Sequence, residues 1–245
     1  MVNVTLLQRY QQALERVQTQ IKAAAFQAQR DPKEITLIAV SKQQPIAAIE
    51  ACYALGIRDF GENRSDELAQ KAQQLAHLTD LKWHFIGHLQ SRQSEAVARY
   101  AHYFHALDRL KIAQRLSQQL QVFNRHLPVF LQVNISGELS KSGWPCALWP
   151  EHEQERTALL NDLLTIQQLP YLQVQGLMTL LPYEAANESL LLWFKRLAQL
   201  AETLPLHSQP AARSYLSMGM SHDFQWAIAA GATHIRVGTA LFGEI

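Results

Sequence analysis

The chain has 245 residues, of which 48% are hydrophobic and 18% are charged, with ten glycines and nine prolines. These proportions exclude a disordered chain, a collagen-like repeat and a small disulfide-built domain. Lysine and arginine total 22 against 21 acidic residues, a net charge of +1, so the charge favours neither nucleic acid nor an anionic membrane as a partner.

Helical and strand-like patterns alternate along the chain, beginning with a long amphipathic segment. Apolar residues recur every three or four positions from Leu6 to Ala25, which predicts an N-terminal helix within residues 1–30. Residues 35–40 (ITLIAV) form a short apolar run that is typical of a strand buried on both faces. Seven more strands are predicted, at 57–61, 81–87, 102–107, 127–135, 171–178, 213–218 and 233–238. The helices predicted between strands cover 45–55, 64–77, 91–99, 108–121, 151–168, 187–204 and 222–230.

Eight strands separated by helices predict a parallel sheet with right-handed crossovers. We expect an α/β fold of one domain over residues 1–245, a closed (β/α)8 or TIM barrel with an extra N-terminal helix. An inserted loop is expected over residues 142–157, where prolines and a charge cluster interrupt the pattern. A doubly wound open sheet is the alternative, because short apolar strands do not reveal whether a sheet closes. No GxGxxG motif follows the first strand.

Two neighbouring loops have the chemistry of a phosphate cradle. In such a barrel, functional residues lie at the carboxyl ends of the strands, and phosphate often binds after strands seven and eight. At strand seven, Ser217 and Ser221 offer hydroxyls and Gly219 an unhindered backbone before a helix begins. At strand eight, Gly238 permits close approach and Thr239 supplies a hydroxyl. Either loop alone is explained better by turn formation and helix capping, but their joint placement reverses this preference and favours an anion site.

Lys42 directly follows the first strand, at the same predicted end of the barrel. A desolvated lysine amine can attack an aldehyde and form an imine, or Schiff base, whereas an ordinary surface lysine is simply hydrated. Arg236 in strand eight is placed to face a pyridine nitrogen, with an ion pair at the barrel rim as the alternative. An amine, a phosphate cradle and an arginine are together what pyridoxal 5'-phosphate (PLP) requires.

Four further residues are candidates for contact with this cofactor. Asn63 and His84, near the ends of strands two and three, could reach the ring or its hydroxyl, and Asn134 and Met178 could line the same opening. Hydrogen bonding at the rim or core packing explains each of them equally well. His84 and His88 share no helical face and have no carboxylate to complete a ligand set, so no metal site is predicted.

The location of the protein is indicated by what the sequence lacks. Cys52 and Cys146 have no second cysteine nearby, which indicates a reducing compartment rather than a disulfide framework. The N-terminus goes directly into an amphipathic pattern, and no run of eighteen apolar residues occurs. We therefore expect a cytoplasmic protein without a membrane partner.

Seven motifs, in order over most of the chain, resemble those of the pyridoxal-phosphate homeostasis protein family. They are AVSK (39–42), FGEN (60–63), WHFIGHLQS (83–91), VNISGELSKSG (133–143), GLM (176–178), LSMGMSHD (216–223) and IRVGTALFG (235–243). The resemblance implies an alanine-racemase-like barrel, the type III fold of PLP proteins, with PLP bound through Lys42. It also implies that the phosphate lies at the two loops, specifically at Ser217, Gly219, Gly238 and Thr239. At Arg92 and Gln93 the chain departs from the family, which usually has Asn-Lys there.

The function implied by this resemblance is storage, transport or regulation of PLP, without established turnover. We expect a monomer that hands PLP to PLP-dependent apoenzymes. A PLP-dependent racemase is the alternative, but it needs a second base opposite Lys42, and none of the seven tyrosines lies in a recognisable motif. The sequence after strand eight, ending at Ile245, is also too short for the second domain of such racemases. A barrel enzyme acting on sugar phosphates or nucleotides would need clustered carboxylates, and Glu62, Asp108 and Glu138 are scattered.

Overall fold

The computed structural model describes residues 4–206 and 214–243, which begin with a long helix outside the barrel. The buried face of helix α1 (Val4–Gln27) packs against the helices at residues 46–54, 224–229 and 239–242, which lie outside the barrel. It ends before residue 30 because Gln29 adopts a left-handed conformation, with φ of 54°. The predicted N-terminal helix is therefore confirmed, with an earlier end.

Eight parallel strands close into a barrel. They are β1 (Thr36–Val40), β2 (Asp59–Glu62), β3 (Lys82–Phe85), β4 (Tyr103–Leu107), β5 (Leu127–Asn134), β7 (Leu172–Met178), β8 (Tyr215–Met220) and β9 (His234–Val237), and the two-residue β6 (Trp144–Pro145) adds to β5. Strand β1 pairs with both β2 and β9, and the pairing of β4 with β5 closes the circle. The predicted closed barrel is confirmed, and the open sheet is wrong.

Helices lie between successive strands of the barrel, as the alternation predicts, and a short helix follows the last strand. They are α2 (Ile46–Ala54), α3 (Ser65–Gln74), α4 (Ser94–Tyr100), α5 (Leu110–Phe123), α6 (Glu153–Gln167), α7 (Asn187–Glu202), α8 (Phe224–Ala229) and α9 (Thr239–Phe242). Short 3-10 turns cover Pro32–Glu34 and Ser91–Gln93. The segment 142–157, expected to be a loop, contains β6 and the first residues of α6.

Strand β8 differs most from its predicted position, 213–218. It continues to Met220, so that Ser217 and Gly219 lie within the strand rather than in a loop after it. Residue 213, its predicted start, lies outside the described residues. The pairing of β8 with β9 shifts register between Ser217 and Met220, the signature of a bulge.

The two faces of the barrel strands differ in chemistry. Outward-facing residues such as Leu131, Leu177 and Ile235 are buried and apolar, and they belong to the core formed with the helices. The barrel interior instead holds buried polar side chains, among them His105 and Arg236. Polar side chains are rarely buried unless they are paired, so the hydrogen-bond partners of these residues determine how the interior is arranged. Among the described residues, no helix is long and apolar enough to cross a membrane.

Candidate functional site

Lys42 lies at the carboxyl end of the barrel. Val40, near the end of β1, pairs with Gly61, so two positions further along each strand Lys42 lies level with Asn63. Ile38 pairs with Arg236, so Val40 is level with Gly238. Lys42 is exposed, and no hydrogen bond or ion pair joins its ammonium to another residue in the described ranges. A solvent-accessible amine at the mouth of the barrel is available to a ligand.

The residue before Lys42 is held by a buried ion pair. Ser41 Oγ donates a hydrogen bond to Glu62 Oε1 at 2.6 Å, and Lys71 Nζ lies 2.8 Å from both Glu62 Oε1 and the Ser41 carbonyl oxygen. Glu62 is fully buried, and burial raises the pKa of its carboxyl although Lys71 and Ser41 oppose this. These contacts fix the end of β1 against β2 and α3.

The residue after Lys42 is also held in place. The Gln43 amide donates to Glu67 Oε2 at 2.9 Å, and Gln43 has a φ of 60°, which is uncommon for a residue other than glycine. Glu67 in turn lies 3.3 Å from Lys71 Nζ. The backbone on both sides of Lys42 is therefore anchored to α3, while the amine itself is not.

An oxyanion cradle lies at the ends of β8 and β9. Ser221 Oγ accepts hydrogen bonds from the amides of Gly238 at 3.2 Å and Ala240 at 3.4 Å, and Thr239 between them is exposed. A methyl group added to Gly238 would meet Val40 at ordinary contact distance, 3.5 Å, so Val40 lies beside this backbone without crowding it. The candidate cradle therefore consists of the Ser221 and Thr239 hydroxyls, and the two amides hold Ser221 Oγ in place.

Gly219 shapes this cradle from behind. Its φ is +95°, and a methyl group on it would lie 2.7 Å from Ala227 Cβ and 2.8 Å from Phe224 Cα. Only glycine allows α8 to pack this closely against the end of β8. Gly219 therefore bends the chain so that Ser221 reaches α9, and its predicted loop position is replaced by a position in the strand.

Ser217 and Arg236 lie below the mouth, inside the barrel. Arg236 Nη1 donates to Ser217 Oγ at 2.6 Å and Nη2 donates to the Thr179 carbonyl oxygen at 2.8 Å. Burial lowers the pKa of Arg236 to about 10, which leaves the guanidinium cationic at neutral pH. Asp223, a buried carboxylate, is the nearest opposite charge that acts on it. The alternative of an exposed ion pair at the rim does not describe Arg236.

Ser217 Oγ continues into a line of hydrogen bonds through the barrel. It lies 2.8 Å from His105 Nδ1, and His105 Nε2 lies 2.9 Å from His84 Nδ1. His84 Nε2 lies 2.9 Å from Asp59 Oδ1, at the first residue of β2. His84 is therefore placed in the middle of the barrel with both ring nitrogens engaged, not at the mouth where the sequence suggested it.

The remaining predicted residues have different surroundings. Asn63 is exposed at the mouth, level with Lys42, and Met178 is fully buried in β7. Asn134 organises the loop after β5: its Nδ2 donates to the Glu138 carbonyl oxygen at 2.9 Å, and its Oδ1 accepts from the Gly137 amide at 3.0 Å. Ser221 and Ser217 belong to one motif, and the sequence alone does not distinguish the hydroxyl at the cradle from the hydroxyl inside the barrel.

The scattered carboxylates do not assemble into a metal or acid–base site. Glu62 pairs with Lys71, Glu138 lies 3.7 Å from Lys141, and Asp108 pairs with Arg109 and His88. Within the described ranges, no group of three or more histidine, cysteine or acidic residues could hold a metal ion. The site thus offers an amine, a buried guanidinium and an anion cradle, which can hold a ligand that carries an aldehyde, a ring acceptor and a phosphate.

Comparison with known proteins gives one consistent result. Residues 13–245 match the family model for the alanine racemase N-terminal domain. A pyridoxal phosphate homeostasis protein of Pseudomonas aeruginosa is 44% identical over 230 residues, which cover 94% of this chain and 93% of that protein. PipY of Synechococcus elongatus, solved with PLP bound, is similar with a TM-score of 0.76 and 35% identity over 91% of this chain and all of PipY. The alanine racemase of Clostridium difficile shares the fold, with a TM-score of 0.67 at 13% identity over 97% of this chain and 57% of the racemase.

Proposed function

Because the chain belongs to the pyridoxal phosphate homeostasis proteins, which share the alanine racemase N-terminal domain, we propose that it binds PLP covalently and holds it in reserve. The observation that carries the proposal is the exposed amine of Lys42 on a doubly anchored turn, at the same end of the barrel as the Ser221 cradle. An anchored backbone places the amine without occupying it. PLP, when bound, supplies an aldehyde and an electron-withdrawing ring.

Each part of the site has a role in this proposal. The Lys42 amine adds to the aldehyde carbon and a water molecule leaves, which forms the Schiff base. The Ser221 and Thr239 hydroxyls donate to the phosphate, while the amides of Gly238 and Ala240 hold Ser221 Oγ in place. Gly219 allows α8 to pack closely behind this cradle, Ser217 accepts a hydrogen bond from Arg236, and Asn63 is exposed beside Lys42.

Arg236 favours binding over turnover. A cationic guanidinium that donates to the ring nitrogen keeps that nitrogen unprotonated, and an unprotonated ring withdraws electrons from a substrate less strongly. A racemase also needs a base on the face opposite Lys42. Tyr183 follows the carboxyl end of β7, and it is 76% exposed, with its ring tilted by 54° against that of His222 at a centroid distance of 4.6 Å. We therefore propose a non-catalytic role, with Met178 and Asn134 lining the opening rather than reacting.

We also propose the recipients of PLP, the location of the protein and its oligomeric state. PLP-dependent apoenzymes are the recipients, and the protein acts as a cytoplasmic monomer. Cys52 and Cys146 are both free and buried, and burial raises the pKa of each thiol to about 12, so both remain protonated, as suits a reducing compartment. Gel filtration with light scattering checks the monomer, for which a mass near 27.8 kDa is expected.

The test of covalent binding is an absorption spectrum of the protein mixed with PLP, followed by borohydride reduction and peptide mass mapping. We expect an imine band and a reduced adduct on Lys42, and no adduct in Lys42→Ala. Lys33→Ala is the matched control, since Lys33 is exposed before the opposite end of β1. Label spread over surface lysines, or no band, overturns the proposal.

A second measurement separates storage from catalysis. The PLP-loaded protein is incubated with L-alanine in deuterium oxide, and exchange of the substrate α-proton is followed by NMR. Storage predicts no exchange above that of free PLP. Catalytic exchange that Lys42→Ala abolishes would show that the protein is an enzyme.

A further inference from the structure

A single line of buried hydrogen bonds joins the two ends of the barrel. It runs from Asp59 through His84, His105 and Ser217 to Arg236, with donor–acceptor distances between 2.6 and 2.9 Å. The last four of these side chains are 3% exposed or less. Its acidic end lies at the amino rim of the barrel, where Asp59 is 22% exposed, and its basic end lies under the mouth. His84, which the sequence suggested as a PLP contact, is instead part of this line, and the PLP contacts proposed above use neither it nor Asp59 or His105.

The donor at each bond follows from the chemistry of Asp59. An ionised carboxylate only accepts hydrogen bonds, so His84 Nε2 must carry the proton that it donates to Asp59. Burial acts to raise the pKa of Asp59, but the hydrogen bond from His84 and the charge interactions with His84, Lys82 and His234 together outweigh it, so the pKa lies below its usual value. Burial lowers the pKa of both His84 and His105, so both rings are neutral at neutral pH. A neutral ring that donates through Nε2 must accept through Nδ1.

The same rule fixes the tautomer of His105. His84 Nδ1 accepts, so His105 Nε2 carries a proton, and His105 Nδ1 accepts in turn. The hydroxyl of Ser217 then donates to His105 Nδ1, which leaves its lone pairs for the guanidinium of Arg236. If the donors pointed the other way along the line, His105 Nδ1 would carry the proton and donate to Ser217 Oγ. The Ser217 hydroxyl hydrogen would then be displaced toward Arg236, so that a hydroxyl donor would face a guanidinium donor.

The rings are held so that they cannot flip easily. His84 stacks on Tyr103 with ring centroids 4.6 Å apart, and His105 stacks on Phe130 at 4.3 Å. His234 packs against His105 at 5.8 Å, and the charged groups acting on the rings from other positions are Lys82 and Arg236. The line therefore has one orientation of rings and one direction of donors.

We propose that Asp59 is a positioning residue for Arg236, acting across the barrel by fixing the tautomers of His84 and His105 and the direction of the Ser217 hydroxyl. The arrangement presents Arg236 to the ring nitrogen of PLP in one orientation, and this consequence rests on the proposed function. The tautomers themselves do not depend on PLP. Asp59 thereby controls PLP binding from the end of the barrel opposite the mouth.

The direct test is a two-bond proton–nitrogen NMR spectrum of the wild-type protein without PLP. We expect His84 and His105 to be neutral and protonated at Nε2. An Nδ1–H tautomer or an imidazolium at either residue overturns the proposal. In Asp59→Asn, the side-chain amide can present either oxygen or NH2 to His84, so a mixture of tautomers is expected. Because the wild-type spectrum needs no variant, a variant that fails to fold does not remove the test.

The second test measures coupling through Ser217. Asp59→Asn and Ser217→Ala are each expected to weaken PLP binding about tenfold, the effect of losing one hydrogen bond to a charged group. In the Ser217→Ala background, Asp59→Asn should have no further effect, because the line is already broken. Additive losses would instead show that Asp59 has a purely structural role. Asp80→Asn is the matched control, since Asp80 lies at the same rim and pairs with Arg58 outside the line.

The two proposals fail in different ways. If the wild-type protein forms no imine on Lys42, the proposed function fails, and the NMR spectrum still decides whether Asp59 fixes the tautomers. If the imine forms and the tautomers are Nε2–H, but Asp59→Asn leaves PLP binding unchanged, the positioning role is overturned while PLP storage stands.

Discussion

The ammonium of Lys71 lies 2.8 Å from the backbone carbonyl oxygen of Ser41, the residue immediately before Lys42. It also contacts Glu62 Oε1 at 2.8 Å and Glu67 Oε2 at 3.3 Å. A buried lysine is tolerated when its donors are paired, and here the three partners come from the ends of β1 and β2 and from α3. One buried charge thus joins three elements beside the candidate amine.

Lys71→Met tests this arrangement. Methionine keeps an apolar chain of similar length but leaves the carboxylate of Glu62 buried without its cation. We expect the free energy of unfolding, measured in urea, to fall by about 3–5 kcal/mol. We also expect slower imine formation at Lys42, because the Ser41 carbonyl loses its anchor. Lys82→Met, an exposed position on β3, is the matched control.

A double variant separates the loss of the ion pair from the loss of packing. Glu62→Gln combined with Lys71→Met removes both charges, so part of the lost stability should return. If the double variant is as unstable as the sum of the two single variants, the buried charge of Glu62 is not the cause.

Gly219→Ala is expected to destabilise the fold. The φ of +95° is strained for alanine, and the added methyl group would lie 2.8 Å from the backbone of Phe224. Together these effects predict a loss of about 2–4 kcal/mol in the free energy of unfolding. Urea denaturation measures it, and a loss below 1 kcal/mol, well within the range of ordinary surface substitutions, would contradict a packing role.

Gly238→Ala is the matched comparison, with the opposite expected result. Gly238 has a φ of −111°, and its added methyl group would meet Val40 at 3.5 Å, so the fold should keep its stability within about 0.5 kcal/mol. The methyl group would fill space beside the proposed phosphate. We therefore expect weaker binding of PLP, with little change for pyridoxal, which lacks the phosphate. Equal losses for both ligands would place the phosphate elsewhere.

The barrel and Lys42 were predictable because both follow from alternation and from the rule that parallel strands end on one face. The depth of a side chain along the barrel axis was not predictable from the sequence. Ser217 and His84 lie inside it because the bulge at Gly219 lets β8 run on to Met220, and because strand register decides height. A single sequence shows neither a bulge nor a register, although the polar residues within apolar strands are a signal that the interior is polar.

The burial of Lys71 has a visible signal in the sequence. Along α3 and its C-terminal cap, Leu68, Lys71 and Leu75 follow one another at three and four positions, and all three are buried. A charged residue within the apolar stripe of a helix is rarely accidental, since it must be paired when the stripe is buried. The spacing predicts a buried lysine, but the partner at Glu62 depends on how α3 packs against β2.

Acid should destabilise the protein through the histidines of the barrel interior. Burial lowers the pKa of His234 to about 3 and that of His105 well below 6.5, so both remain neutral in the folded state while they become protonated in the unfolded chain. The unfolded chain then binds more protons, and stability falls as the pH drops below about 6.5. At pH 5 His234 lowers the free energy of unfolding by about 2 kcal/mol relative to neutral pH, and His105 acts in the same direction.

The variant His234→Phe measures how much His234 contributes to the loss of stability in acid. Urea unfolding at pH 7 and at pH 5 should show a difference between the two pH values that is smaller by about 2 kcal/mol in the variant than in the wild type. The difference is compared between proteins because Glu62 and Asp223, whose pKa values are raised by burial, act in the opposite sense in every variant. His77→Phe, at an exposed position of the chain, is the control. A difference as large in His234→Phe as in the wild type would mean that His234 takes up its proton equally readily in the folded and unfolded states.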